Sequence, residues 1–236
     1  MEICWLGHAC FKISHNGYSV VIDPYESRQL GGYPTLSYGA EVAHVNDLIA
    51  YPYESRQLGG YPTLSVTADA VLCSHEHPGH NNRAAVTIPD PTKPCPYELS
   101  YIDTFHDTSW GLLRGKNRIH ILNWDGYKIV HMGDFGAILT DNEKNELFGA
   151  DVLMIAAGGF RAMPSDKTKP LADELFANVV IPMHYAHGKY GNRRLERVEA
   201  FTDQYMPLPI VKKYPGNTIT IDKSTPEQVA ILEYIP

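Results

Sequence analysis

Three short apolar runs in this chain stop at a histidine, and that shared ending limits the folds open to it. Ala70 to Cys73 leads into Ser74-His75-Glu76-His77-Pro78-Gly79-His80, Ile129-Val130 into His131-Met132-Gly133-Asp134, and Val179 to Pro182 into Met183-His184-Tyr185. Runs of this length, bounded by turn residues, read as strands. Strands that finish at one edge of a sheet bring their last residues together, which is where α/β proteins build their sites. In an extended segment, residues two apart face the same side, so His75 and His77 would point together while His80 faces a neighbouring position. Each buried imidazole needs its own partner, so so dense a triplet is seldom structural. It reads instead as a metal site, because neutral imidazole is the commonest ligand for such ions. His131 or His184 alone would serve equally well as a core residue, but together they complete a set. Asp134, with Gly133 easing the turn before it, offers an anionic oxygen that could bridge two ions or take a proton as a catalytic base.

The rest of the chain reads as paired strands followed by alternating strands and helices. Cys4 to Leu6 and Cys10 to Ile13 are strand-like, and Asn16-Gly17 turns the chain back into Tyr18 to Ile22. Ile119 to Leu122 and Tyr127 to Val130 form a second hairpin about Asp125-Gly126, and Asp151 to Ile155 is a further strand. Helices are expected at Asp141 to Phe148, Pro170 to Ala177 and Asn192 to Tyr205, with a short amphipathic one at Ala40 to Ala50. Layered mixed sheets covered by helices fit this pattern, an α/β or α+β class. With 236 residues and 44% hydrophobic content the chain can fill one core, so residues 1–236 are read as a single domain.

One segment is abnormal. Pro24 to Ser37 and Pro52 to Ser65 carry the same 14 letters, PYESRQLGGYPTLS, at an offset of 28. Two identical copies without a third do not make a solenoid. Removing 28 residues would leave an uninterrupted chain, so the duplicated segment within 24–65 is read as an insertion at the surface.

Composition narrows the partners. Twenty Lys and Arg against 27 Asp and Glu leave a net charge of −7, which disfavours a nucleic-acid partner and a nuclease reading. No apolar run approaches the roughly 20 residues of a membrane span, and Met1 to Trp5 opens as a strand rather than as a leader. No membrane partner is expected, and the expected location is cytoplasmic. The four cysteines form no C-x-x-C pair and are read as reduced thiols. A homo-oligomer through the extra segment is left open.

At these residues the sequence resembles the metallo-β-lactamase-fold hydrolases, in particular the branch that includes L-ascorbate-6-phosphate lactonase. The resemblance rests on Trp5-Leu6-Gly7-His8-Ala9-Cys10-Phe11, Ile22-Asp23-Pro24, the His75 to His80 motif, Arg114-Gly115-Lys116-Asn117, His131 to Asp134, Gly158-Gly159 and Pro182 to Tyr185. It implies a four-layer αββα sandwich with one or two divalent ions at the sheet edge, zinc first, with manganese or iron accepted by the same donors. One ion would take His75, His77 and His131, the other His80 and His184, with Asp134 bridging. A bound ion lowers the pKa of its water, which points to hydrolysis of an ester, lactone or phosphoester bond in a small, anionic substrate. His106, Arg114, Asn117 and His8 are candidates for the substrate side, with His8 also read as a turn residue. His15, His44 and His120 belong to no constellation and are read as surface residues. The chain departs from the family's H-x-H-x-D-H motif, whose aspartate falls on Gly79. The resemblance therefore implies a filled first metal position and a weak second one. The alternative is a catalytically weakened protein that keeps the fold and binds metal or a ligand.

Overall fold

The computed structural model of the chain describes residues 1–27, 60–160, 162–188, 190–192, 194–207 and 209–236. Among these, two mixed sheets enclose one apolar core. The first has the order β13-β1-β2-β3-β5, from β1 (Glu2–Gly7), β2 (Cys10–His15), β3 (Tyr18–Ile22), β5 (Ala70–Leu72) and β13 (Thr218–Thr220). The second has the order β12-β14-β11-β10-β9-β8-β7, from β7 (Glu98–Phe105), β8 (Lys116–Trp124), β9 (Tyr127–His131), β10 (Val152–Ala156), β11 (Val179–Met183), β12 (Val211–Lys213) and β14 (Gln228–Ile231). β4 (Val66–Thr67) and β6 (Val86–Thr87) form a short separate pair. This is the mixed α/β sandwich expected of the sequence.

Local chemistry explains the elements. Both hairpin turns place two consecutive residues in the left-handed region, Asn16-Gly17 at φ 46° and 77° and Asp125-Gly126 at 48° and 80°. That is what a two-residue turn matching strand twist requires, and Asn-Gly and Asp-Gly reach it at least strain. β10 and β11 lie mid-sheet among parallel neighbours and are buried at every position, so they read as unbroken apolar runs rather than as alternation. Helix α1 (Asp141–Leu147) starts in a capping box, in which the Glu143 amide donates to Thr140 Oγ1 and the Thr140 amide to Glu143 Oε2. Helix α2 (Ser165–Leu175) buries Thr168, Leu171, Ala172 and Leu175, one stripe at helical spacing, and packs on β10.

Strand direction positions the site. In the second sheet β9, β10 and β11 are parallel, and two antiparallel steps through β8 make β7 run the same way. In the first sheet β3 and β5 are parallel, and two antiparallel steps through β2 align β1 with them. Gly7, Ile22, Leu72, Phe105, His131 and Met183 are therefore all carboxyl ends of co-directed strands within their sheets. The residues that follow them are His8, Asp23, the His75 to His80 loop, His106, Asp134 and His184.

Three expectations are corrected. The helix expected at Asn192 to Tyr205 shrinks to α3 (Glu199–Thr202) and one 3₁₀ turn, Asp203–Tyr205. The preceding residues spend their hydrogen bonds elsewhere: Ala186 N donates to Glu196 O, and Glu196 N to Gly158 O. β7 went unread because it is an edge strand with its first four residues exposed, which erases the alternation. His120 is buried and His15 is half-buried against Trp124 and Tyr127, so neither is a free surface residue. The helix expected at Ala40 to Ala50, and His44 within it, lie outside the described residues.

The duplication resolves into one working copy. The first copy contributes its start, where Tyr25 is buried, and the second its end, where Tyr61 is buried. Their rings pack at 5.2 Å, and the Ser27 hydroxyl donates to the Tyr61 carbonyl. The two ends of the intervening chain therefore meet, and excising residues 28–55 regenerates a single uninterrupted copy. The connection between Ser27 and Gly60 falls from 32 residues to four, three halvings that should together stabilise the fold by about 2 kcal/mol through loop entropy. Thermal denaturation of the excised chain is expected to show a Tm higher by about 4–8 °C, at 2–4 °C per kcal/mol for a chain of this size. A clear drop would show that residues 28–55 support the core.

Candidate metal centre

Two of the imidazoles at the strand edge, His75 and His80, are aimed by partners that set which ring nitrogen is left over. Asp23, fully buried after β3, accepts from the Ser74 amide and the Ser74 hydroxyl, both at 2.6 Å, and from His80 Nδ1 at 2.9 Å. Because the Ser74 hydroxyl gives its proton to Asp23, it accepts from His75 Nδ1 at 2.9 Å. One carboxylate thus fixes two imidazoles, and it turns the Nε2 atoms of both His75 and His80 away from itself. Asp23 had no role assigned from sequence. The signal that could have found it is its place at the end of a strand co-directed with that of His75.

The rings converge in two groups whose ligand-type atoms lie within 4.8 Å of one another: His75, His77 and His106, and His8, His80 and His184. Ring centroids are 4.6 Å apart for His75 and His77, 4.1 Å for His75 and His106, and 4.2 Å for His8 and His184. Asp134 lies between the groups. Its Oδ2 is 3.2 Å from Nε2 of both His80 and His184 and 3.9 Å from His106 Nδ1. Burial opposes ionisation of Asp134, but the imidazoles of His184 and His80 outweigh it and hold the carboxyl well below its usual range. Burial likewise opposes charge on His80, yet Asp134 and Asp23 push its pKa up to about 10. Among the described residues His75 and His8 have no carboxylate as close, and burial with neighbouring imidazoles outweighs the pull of Asp134 and keeps both well below 6.5.

Glycines make room for this packing. At Gly133, φ +57°, an added Cβ would stand 2.3 Å from Asn117 Oδ1 and 2.7 Å from Ser74 Cβ. At Gly158 it would stand 2.1 Å from the His184 carbonyl oxygen. Gly158 therefore serves close approach of two backbones, with its own carbonyl taken by Glu196 N.

The structure brings together His75, His77, His80, His184 and Asp134, and it sets His131 apart. His131 ends β9 on the same face as Ile129, pointing into the sandwich beside Phe11. Its Nε2 donates to Ala9 O at 2.9 Å and its Nδ1 accepts from Gly133 N at 3.2 Å, so both nitrogens are spent on backbone. His106, expected on the substrate side, occupies the place beside His75 and His77. Asn117, also expected to touch substrate, is buried. It donates from Nδ2 to Met132 O and accepts at Oδ1 from Asp134 N, each at 2.9 Å, and so clamps the turn that presents Asp134. Arg114 is exposed on a loop pinned by Asp107, whose carboxylate accepts from the amides of Ser109, Gly111 and Arg114. His8 joins His80 and His184 rather than a substrate loop.

The chemistry of this donor set fits a divalent cation. His8 Nδ1, His75 Nε2, His184 Nδ1 and Asp134 Oδ1 are buried and find no hydrogen-bond partner among the described residues. Buried polar atoms in that condition cost roughly 1–3 kcal/mol each unless something else engages them. Imidazole and carboxylate lone pairs directed at a common centre are what zinc or iron would engage.

Comparison with known proteins agrees. The family described as beta-lactamase superfamily domain matches residues 2–184. The chain is similar to a UPF0173 metal-dependent hydrolase of Hyperthermus butylicus, 24% identical over 90% of this chain and 96% of that one. A protein of the same description from Methanoculleus marisnigri is 23% identical over 94% and 97%. Among solved structures, one from Thermotoga maritima, assigned to the Zn-dependent hydrolases of the metallo-β-lactamase superfamily, is 26% identical. It covers 99% of both chains with a TM-score of 0.67. No helix among the described residues is long and apolar enough to cross a membrane.

Proposed function

Since the chain belongs to the β-lactamase superfamily, we propose that it is a metal-dependent hydrolase opening an ester, lactone or phosphoester bond of a small, anionic substrate. The observation that carries this reading is the convergence of six imidazoles and Asp134 at one strand edge, with four of their polar atoms buried and without a hydrogen-bond partner among the described residues. A divalent ion held there supplies Lewis acidity toward a substrate oxygen and makes water acidic enough to attack near neutral pH. His75, His77 and His106 would hold one ion, and His80 and His184 belong to the second group, with Asp134 between them. Asp23, directly and through Ser74, keeps His80 and His75 in the tautomers that present Nε2. Asp134 is the group placed to accept the water's proton. The exposed Arg114, on the loop pinned by Asp107, is assigned to the substrate's anionic end.

The test is turnover of lactone, carboxylic ester and phosphodiester substrates by protein stripped with a chelator and then reloaded with zinc or manganese. At least one class is expected to be hydrolysed only after reloading. Turnover indifferent to the chelator would sink the proposal, and so would none by metal-loaded, folded protein on any class, which would instead favour the weakened-binder reading raised by Gly79.

A further inference from the structure

His80, His184 and Asp134 make a second ion position that is one donor short, because the residue beside His80 is Gly79, buried and without a side chain. We propose that His8 supplies the missing donor, so that the second position is built from three imidazoles and Asp134. The inference rests on the metal-centre reading above.

Four observations carry it. The His8 ring lies with its centroid 4.2 Å from that of His184 and 5.0 Å from that of His80, and the three residues' ligand-type atoms fall within 4.8 Å of one another. The residue is only 5% exposed, and its Nδ1 has no hydrogen-bond partner among the described residues. The backbone is held at φ +52°, a left-handed conformation that costs a non-glycine residue about 1–2 kcal/mol. Finally, the His8 carbonyl is gripped from both sides, by Trp5 Nε1 at 3.0 Å and by the His184 amide at 3.1 Å, so the strained turn is locked against the strand that carries His184. A turn residue needs no buried imidazole, since asparagine or glycine would take the same backbone with less strain. The ring is therefore what this position retains the strain for.

The chemistry follows from the exchange. A carboxylate beside His80 would add negative charge and suit manganese, whereas a third neutral imidazole favours zinc, iron or copper. The second position is accordingly expected to select zinc over manganese.

The experiment is zinc stoichiometry on the full chain, stripped with chelator, dialysed against buffered free zinc and measured by elemental analysis. Wild type is expected to hold two equivalents. His8→Asn, which keeps the left-handed backbone but shortens the donor, should keep one equivalent and bind the second more than about 100-fold more weakly, beyond the 10–100-fold typical of residues that only orient a ligand. Gly79→Asp in the His8→Asn background should restore the second equivalent and raise its manganese affinity relative to zinc. Circular dichroism and Tm confirm that each variant is folded. Unchanged stoichiometry and affinity in His8→Asn overturns the inference while leaving the hydrolase reading intact. Folded wild type that holds no zinc at any level tested overturns both.

Discussion

Replacing Asp134 with asparagine is expected to lower kcat/KM by about 10³-fold, the middle of the range for a positioned proton acceptor, on whichever substrate class the metal-loaded protein turns over. The carboxylate lies within reach of both histidine clusters, 3.2 Å from His80 and His184 and 3.9 Å from His106. An amide of the same shape keeps the packing and loses the charge and the basicity. The change also alters the metal-free protein. In the folded chain His80 binds its proton far more tightly than in the unfolded one, with a pKa pushed up to about 10 against 6.5. Its contribution to stability is therefore complete below pH 6.5 and is lost as pH rises to 10. With chelator present, the Tm of the wild type should fall across that interval, and Asp134→Asn should flatten the fall. Activity within tenfold of wild type, or an unaltered pH dependence of Tm, would remove Asp134 from the role given to it.

Gly133→Ala is expected to destabilise the fold by about 3 kcal/mol, combining roughly 1–2 kcal/mol for a left-handed alanine with a similar amount for overpacking. The new methyl would meet Asn117 Oδ1 at 2.3 Å and Ser74 Cβ at 2.7 Å. Neither neighbour can retreat, because Asn117 is bonded to Met132 O and Asp134 N, and Ser74 to Asp23. The Tm should drop by about 6–12 °C at 2–4 °C per kcal/mol for a chain of this size. Metal content should fall as well, since Ser74 and Asn117 orient His75 and Asp134. Gly149→Ala is the control: φ is +69° but none of the described residues lies within 4 Å of the added Cβ, so only the backbone strain remains. Equal effects from the two substitutions would mean that packing around Gly133 is looser than these distances imply.

Much of this was legible beforehand for local reasons. Asn16-Gly17 and Asp125-Gly126 dictate their hairpins through conformations that few other pairs adopt. The apolar runs at Val152 and Val179 mark central strands because both their faces are covered. The density of His75, His77 and His80 announces a site by itself. What could not be read was non-local. β7 hides because an edge strand buries little, and with it went the evidence that His106 stands at a strand end on the site's edge. Asp23 hides because its partners, Ser74 and His80, are more than 50 residues away.

His131 and His106 show where the division falls. The amino-acid order alone determined that strands would end in histidines and that glycine would free the turn before Asp134, since both follow from residue type and neighbours one or two positions away. Which of those histidines would face the centre was decided only by the tertiary structure. A ring at a strand end turns toward whatever satisfies its two nitrogens, and for His131 that was a carbonyl 122 residues distant, brought alongside by the packing of one sheet on the other.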